Sequence, residues 1–143
     1  MERFLVDQML LRLGRWLRLM GLDVANPQVV DDSAILGQAL AEERTLITRD
    51  RRLAEACMGR DVGCILIRSS RVREQILEMA ERGVSLQLNP CRCTLCNSPL
   101  IQIQASERQI WMCEGCGKLY WEGSHWKRIK KAIEGLQSSR GST

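Results

Sequence analysis

No lysine occurs among the first 117 residues, histidine is present once as His125, and no apolar run approaches the length of a membrane span. Each shortage removes a class of protein. A P-loop NTPase or a phospho-receiver domain needs a lysine at its phosphate site, and the first one here is Lys118. A helical membrane span needs roughly 20 consecutive apolar residues, which the sequence never supplies. The start of the chain has the arginines of a transit peptide, Arg3, Arg12, Arg15 and Arg18. It also carries Glu2, Asp7 and the strand-like Phe4-Leu5-Val6, so it reads as the beginning of the fold.

Arginine is what the chain has in quantity. Its 21 basic residues comprise 17 arginines and 4 lysines against 17 acids, for a net charge of +4. Arginine grips phosphate in a bidentate fork, so a nucleic-acid partner is one reading, and an arginine-rich genome accounts for the bias equally well. With 143 residues, 45% of them hydrophobic and 27% charged, the chain can form one good core and a small metal-pinned unit.

Four of the seven cysteines stand out by spacing. Cys93, Cys96, Cys113 and Cys116 form two C-x2-C pairs, each followed by a residue that tolerates a left-handed backbone, Asn97 and Gly117. Two such turns joined by a hairpin place four thiolates around a tetrahedral ion, the pattern of a structural zinc site. Cys91 is a possible replacement for Cys93, but the repeated spacing favours Cys93. A pair of disulfides is the other reading and asks for an oxidising compartment, which nothing in the sequence indicates. Thiolate ligands together with free Cys57, Cys64 and Cys91 suit a reducing, cytoplasmic setting. Protein fills all four ligand positions, so such an ion leaves the chemistry to be sought elsewhere.

Residues 1–83 alternate short apolar runs with helical patterns. Strands are expected over 4–6, 22–25, 45–48 and 62–68, and helices over 8–20, 32–44, 51–58 and 72–82, the last closed by Gly83. That order implies an α/β fold, a parallel sheet with helices on its faces. A break over 84–90 precedes a second module, 91–137, in which 100–104 and 109–112 alternate as hairpin arms. Ser124 can cap a final helix to Leu136, with Trp126, Ile129, Ile133 and Leu136 on its apolar face and Lys127, Arg128, Lys130 and Lys131 off it.

In an open parallel sheet, functional groups gather beyond the carboxyl ends of the strands. Asp7 follows the first strand directly, Asp31 and Asp32 follow the second after a short loop, and Asp50 follows the third in Thr48-Arg49-Asp50. Carboxylates crowded together raise each other's pKa and are costly without cations. Oxygen-only ligands select magnesium or manganese, which can serve phosphodiester hydrolysis. Taken one at a time, Asp7, Asp32 and Asp50 are also natural helix N-caps. An acid after each of three successive strands, with Asp31 beside Asp32, exceeds what capping requires.

These residues carry a family resemblance. Phe4-Leu5-Val6-Asp7, Leu13-Gly14-Arg15-Trp16-Leu17-Arg18, Gly21-Leu22-Asp23 and Leu46-Ile47-Thr48-Arg49-Asp50 resemble the Mut-seven C-terminal ribonuclease domain family, a branch of the PIN-like nucleases with a C-terminal zinc ribbon. The second module agrees in Arg92-Cys93, Cys96-Asn97, Cys113 to Gly117, Tyr120-Trp121 and Gly123-Ser124-His125-Trp126. The resemblance implies a PIN-like nuclease domain over 1–83 and a zinc ribbon with a basic helix over 91–137 that helps hold RNA, with single-stranded RNA as the expected partner. It further implies a metal-dependent ribonuclease with Asp7, Asp32 and Asp50 as ligands of magnesium or manganese, and with Asp31 assisting or substituting for Asp32. Arg49, beside Asp50, can contact the scissile phosphate or simply pair with a carboxylate of the cluster, and Ser69 is a further auxiliary candidate. Many PIN-type sites carry a further acid after the fourth strand, where this chain has Ser69-Ser70, with Glu74 a turn later.

Arg12, Arg15 and Arg18 recur every third residue on the first helix, as a stripe that could steer a phosphate backbone or as a plain solvated face. His125 and Trp126, with Tyr120 and Trp121 nearby and the basic helix beyond, suit stacking with single-stranded bases. An equal reading makes Trp121 and Trp126 the small core of the zinc unit. Two rivals to a ribonuclease stand beside it: a non-catalytic RNA-binding adaptor, and a hydrolase of small phosphoesters.

Overall fold

The computed structural model describes residues 2–87, 91–105, 108–121 and 124–141. Four short strands, β1 (Arg3–Val6), β2 (Asp23–Ala25), β3 (Thr45–Thr48) and β4 (Cys64–Leu66), form a parallel sheet in the order β2-β1-β3-β4. The connections are helices α1 (Leu11–Leu19), α2 (Asp32–Ala41) and α3 (Arg51–Gly59), and α4 (Val72–Glu81) follows the last strand. This is the α/β architecture that the alternation of elements implied.

Strand side chains alternate between the two faces, and each face has its own helices. Phe4, Val6, Val24, Ile47 and Ile65 pack with Leu13 and Leu17 of α1 and with Ile76 and Met79 of α4. Leu5 and Leu46 point the other way, onto Ile35 and Leu36 of α2 and Leu53 of α3. Burial on both faces is why the strands read as unbroken apolar runs. α1 can lie close to β1 because residue 14 is glycine: a Cβ there would come within 3.2 Å of Val6 and 3.6 Å of the Arg18 guanidinium.

The second unit is an antiparallel sheet of β5 (Leu100–Ala105), β6 (Arg108–Cys113) and β7 (Leu119–Trp121), in that order. The first two are the expected hairpin arms. β7 is too short to show an alternation, and its antiparallel pairing with β6 (Ile110 with Trp121, Trp111 with Tyr120, Met112 with Leu119) defines it. The final helix, α5 (Ser124–Gly141), continues past Leu136, where the sequence pattern stops. Beyond that point the Gln137 amide donates to the Leu86 carbonyl, which ties down the extra turn. Ile133 and Leu136 are buried in the same cluster as Leu10, Leu13 and Met79, so α5 returns to the first sheet's core although it follows the second sheet in sequence.

Two other departures have local causes. The expected helix over 8–20 opens as a single 3-10 turn, Gln8–Leu10, because Asp7 Oδ1 accepts the Met9 N–H and tightens the entry. The expected strand over 62–68 shortens to its three ladder residues, because Arg68 and Ser69 donate their N–H groups to the Glu78 carboxylate, each at 3.0 Å.

Candidate functional site

The sulfurs of Cys93, Cys96, Cys113 and Cys116 all lie within 4.8 Å of one another, and they could hold a metal ion such as zinc. A tetrahedral site with Zn–S near ~2.3 Å has S···S edges of about 3.8 Å, and the Cys93–Cys116 separation is 3.7 Å. Asn97 (φ 67°) and Gly117 (φ 78°) adopt the left-handed conformation expected of them, and each donates its N–H to the carbonyl of the first cysteine of its pair. The Cys113 sulfur also accepts the N–H groups of Gly115 and Cys116. Ser98 is the main reason the Cys96 thiol is held down at about 6, which favours the ligating thiolate. Cys91 stands apart, its thiol 3.6 Å from the Gly21 carbonyl, so Cys93 is the member of the quartet.

Tyr120 serves this centre. Its hydroxyl lies 3.1 Å from the Cys93 sulfur and 3.0 Å from Thr94 Oγ1, and it accepts the Thr94 N–H. Burial, with Cys93 as the next cause, pushes its phenol up to about 12. Trp121 is half exposed on β7. The side chains of His125 and Trp126, assigned above to RNA stacking, lie outside the described residues.

Arg18 departs from the expected RNA-facing stripe. It is 1% exposed, and its guanidinium donates to the carbonyls of Val24 (2.7 Å) and Thr94 (2.6 Å) and to the Asn26 side chain. Burial pulls its pKa below the ordinary value, and the nearby Cys93 charge pushes back; an arginine there stays protonated. Arg12 and Arg15 do face solvent. The reason is helical phase: a three-residue repeat drifts around a helix of 3.6 residues per turn, and its third member reaches the buried side.

Through Arg18 the first cysteine turn docks on the edge strand β2. Asn97 accepts the Val24 N–H at 3.0 Å and donates to Asp23 at 2.7 Å. Asp23 also pairs with Arg44 at 2.8 Å and with Arg3 and Arg92 at 3.6 Å. Burial raises the Asp23 carboxyl, but hydrogen bonds from Arg44 and Asn97 prevail and hold it below its ordinary value. Nothing in a linear reading marked Arg18, Asp23 or Asn97 for this joint task; a glycine one turn before Arg18 is the only trace.

At the carboxyl edge, β1 and β3 are neighbours, so Asp7 and Asp50 emerge side by side. Asp7 is 5% exposed; its second oxygen accepts the Thr48 hydroxyl. The same hydroxyl oxygen accepts the Asp50 N–H at 3.0 Å, so Thr48, which sequence reasoning overlooked, ties the two strand ends together. Asp50 caps α3 through the Arg52 N–H at 2.9 Å, which leaves its other oxygen for a further partner. The cap of α2 is Asp31, accepting from Ala34 at 3.3 Å, one residue earlier than the expected Asp32. Asp32 itself is exposed in the first turn. Arg49 has a buried Nε with no hydrogen-bond partner. Ser69 donates its hydroxyl to Glu74 and sits with Glu74 and Glu78 at the end of β4.

These carboxylates are gathered at one edge but not into one cluster. Among the described residues the four cysteines are the one group of three or more potential ligands within 4.8 Å. Magnesium, however, keeps several waters and takes one or two carboxylates together with substrate phosphate oxygens. Asp7 and Asp50, on neighbouring strand ends, offer two carboxylates at this edge.

Fold and sites thus define an α/β protein with an acidic carboxyl edge and an attached four-cysteine unit. The family model described as the Mut7-C RNAse domain matches residues 2–133, nearly the whole chain, and the chain belongs to that family. Membership makes it a ribonuclease-type domain, with RNA as the implied substrate or partner. No curated protein and no solved structure matches it. Among the described residues no helix is long and apolar enough to cross a membrane.

Proposed function

We propose that the protein is a metal-dependent ribonuclease that hydrolyses single-stranded RNA at the carboxyl edge of the parallel sheet. The observation that carries this is the Asp7–Thr48–Asp50 arrangement: a nearly buried carboxylate held by a hydroxyl that also receives the backbone N–H of a second acid. Helix capping alone asks for neither the burial nor the link. Asp7 and Asp50 would hold magnesium or manganese, with Asp32 approaching from α2. Such an ion, when bound, would activate a water and stabilise the leaving oxygen. Thr48 and the Met9 N–H orient Asp7, so its remaining lone pairs keep one direction. Zinc is the ion we assign to the four cysteines, because an all-thiolate tetrahedron suits it and leaves no open position. The cysteine unit, Trp121 and the exposed Lys127, Arg128, Lys130 and Lys131 would then help to hold RNA.

A non-catalytic RNA-binding adaptor is the second reading, favoured by the absence, among the described residues, of a three-carboxylate cluster. One assay separates the two. With manganese, wild-type protein should cleave single-stranded RNA, and Asp7→Asn should slow cleavage by about 10³-fold while leaving RNA affinity and the melting temperature unchanged. RNA binding without cleavage across several divalent ions would establish the adaptor, and equal residual cleavage by Asp7→Asn would place the site elsewhere.

A further inference from the structure

A cavity of about 600 Å³ opens beside the start of α4, and its walls are unusually basic. Arg12 of α1 lines it together with Ser70, Arg71 and Arg73 around the start of α4. The one acid in the lining, Glu74, already accepts the Ser69 hydroxyl, so the walls carry three positive charges against one negative. None of the three arginines has an ion-pair partner among the described residues. Arginines placed together repel, and folding gains nothing from their proximity unless an anion joins them. The remaining lining, Val72, Leu77 and Leu136, is apolar. Cationic walls beside an apolar surface match a nucleotide, with phosphate on the guanidinium groups and the base or sugar against the aliphatic side chains.

The cavity's position relates it to the acidic edge. Ser70 and Arg71 follow β4, and Asp7 follows β1, with β3 between them. Two strand spacings, roughly 10 Å, separate these strand ends. α1 and α4 pack on the same face of the sheet, and Arg12, five residues after Asp7 in the chain, lines the cavity. The start of α4 has no capping side chain and adds a weaker positive contribution of its own.

We propose that Arg12, Arg71 and Arg73 form a phosphate subsite that holds the RNA backbone a short way along the strand from the bond to be cut. This rests on the ribonuclease reading for its purpose but not for its test. Arg71 and Arg73 are exposed, so their replacement spares the core. The measurement is the affinity of the zinc-loaded 143-residue chain for a fluorescent ten-residue oligouridylate, without added magnesium or manganese, across a salt series. Arg71→Ala with Arg73→Ala should weaken binding about tenfold or more and flatten the slope of log affinity against log salt by about 1.4, the value for two lost phosphate contacts to a single strand. Arg71→Lys with Arg73→Lys should restore most of the slope, which a merely structural role would not. Arg60→Ala, an exposed arginine at the opposite end of α3, should match wild type. A wild-type slope in the double alanine variant would overturn the subsite, whether or not the protein cleaves RNA. Competition by inorganic phosphate at the oligomer's own affinity would overturn the RNA assignment and leave a free-phosphate site. A flattened slope together with absent cleavage would uphold the subsite and count against the nuclease alone.

Discussion

Four sulfurs from two tight turns lie within 4.8 Å of one another, whereas the carboxylates of Asp7, Asp32 and Asp50, from three strand ends, form no comparable group among the described residues. The contrast is one of chain geometry and charge. Each cysteine pair is local, and its turn sets two ligands at a separation fixed by neighbouring residues. The acids are placed by the register of a parallel sheet and the loops that follow its strands, and their mutual repulsion disfavours closer approach without a cation. A closed thiolate centre therefore belongs to the architecture, while the acidic edge stays open, as the proposed site requires.

The most drastic way to test this contrast is to remove the metal from the cysteines. Structural zinc contributes on the order of 10 kcal/mol in small metal-folded peptides. Chelation should abolish hydrogen-exchange protection at the Asn97 and Gly117 amides and also expose the Val24 amide, which Asn97 holds, while the Ile47 amide in the sheet interior stays protected. Undiminished protection at Asn97 and Gly117 after complete metal removal would sink the structural role of the ion.

Arg18→Ala attacks the joint between the two regions. It strands the Val24 and Thr94 carbonyls and empties a buried volume, and should cost about 3 kcal/mol in denaturant unfolding. Arg18→Lys should recover little of that, since a point charge cannot span the acceptors of a planar fork. Full recovery by lysine would reduce Arg18 to a simple charge.

Acid probes the same joint more gently. The folded Asp23 carboxyl lies below its ordinary value. Its contribution is thus fully present above the unfolded value, roughly 3.9, and is lost as pH falls through the lower folded value. The melting-temperature advantage of wild type over Asp23→Asn should hold at pH 5 and shrink progressively below pH 4. An advantage that grows on acidification would contradict the ion-pair assignment.

The finest distinction is within the Asp31-Asp32 pair. Asp31→Ala removes a cap and should cost about 1 kcal/mol with little effect on cleavage. Asp32→Ala should leave stability nearly unchanged and reduce cleavage. The reverse pattern would make Asp31 the functional acid.

Much of this was legible beforehand because it depends on short-range chemistry. Alternating apolar runs marked the four strands of the sheet, and C-x2-C spacing with Asn97 and Gly117 marked the metal-type turns. The position of an aspartate after each of three strands followed from the same reading. Helix phase was less legible: Arg12, Arg15 and Arg18 look alike in the sequence, yet Arg18 alone turns inward. The cap of α2 moved by one residue because Asp31 and Asp32 offer the same carboxylate, and only the backbone conformation selects between them.

The sequence by itself determined the α/β alternation, the cysteine quartet and the strand-end acids, because each is written in neighbouring residues or in a repeat of fixed period. Only the tertiary structure decided that Thr48 joins Asp7 to Asp50, that Arg18 and Asn97 dock the cysteine turn on β2, and that α5 returns to the first core. It also decided that Arg12 meets Arg71 and Arg73 in one cavity. Those contacts join residues tens of positions apart, and local propensity holds no record of partners that packing alone brings together.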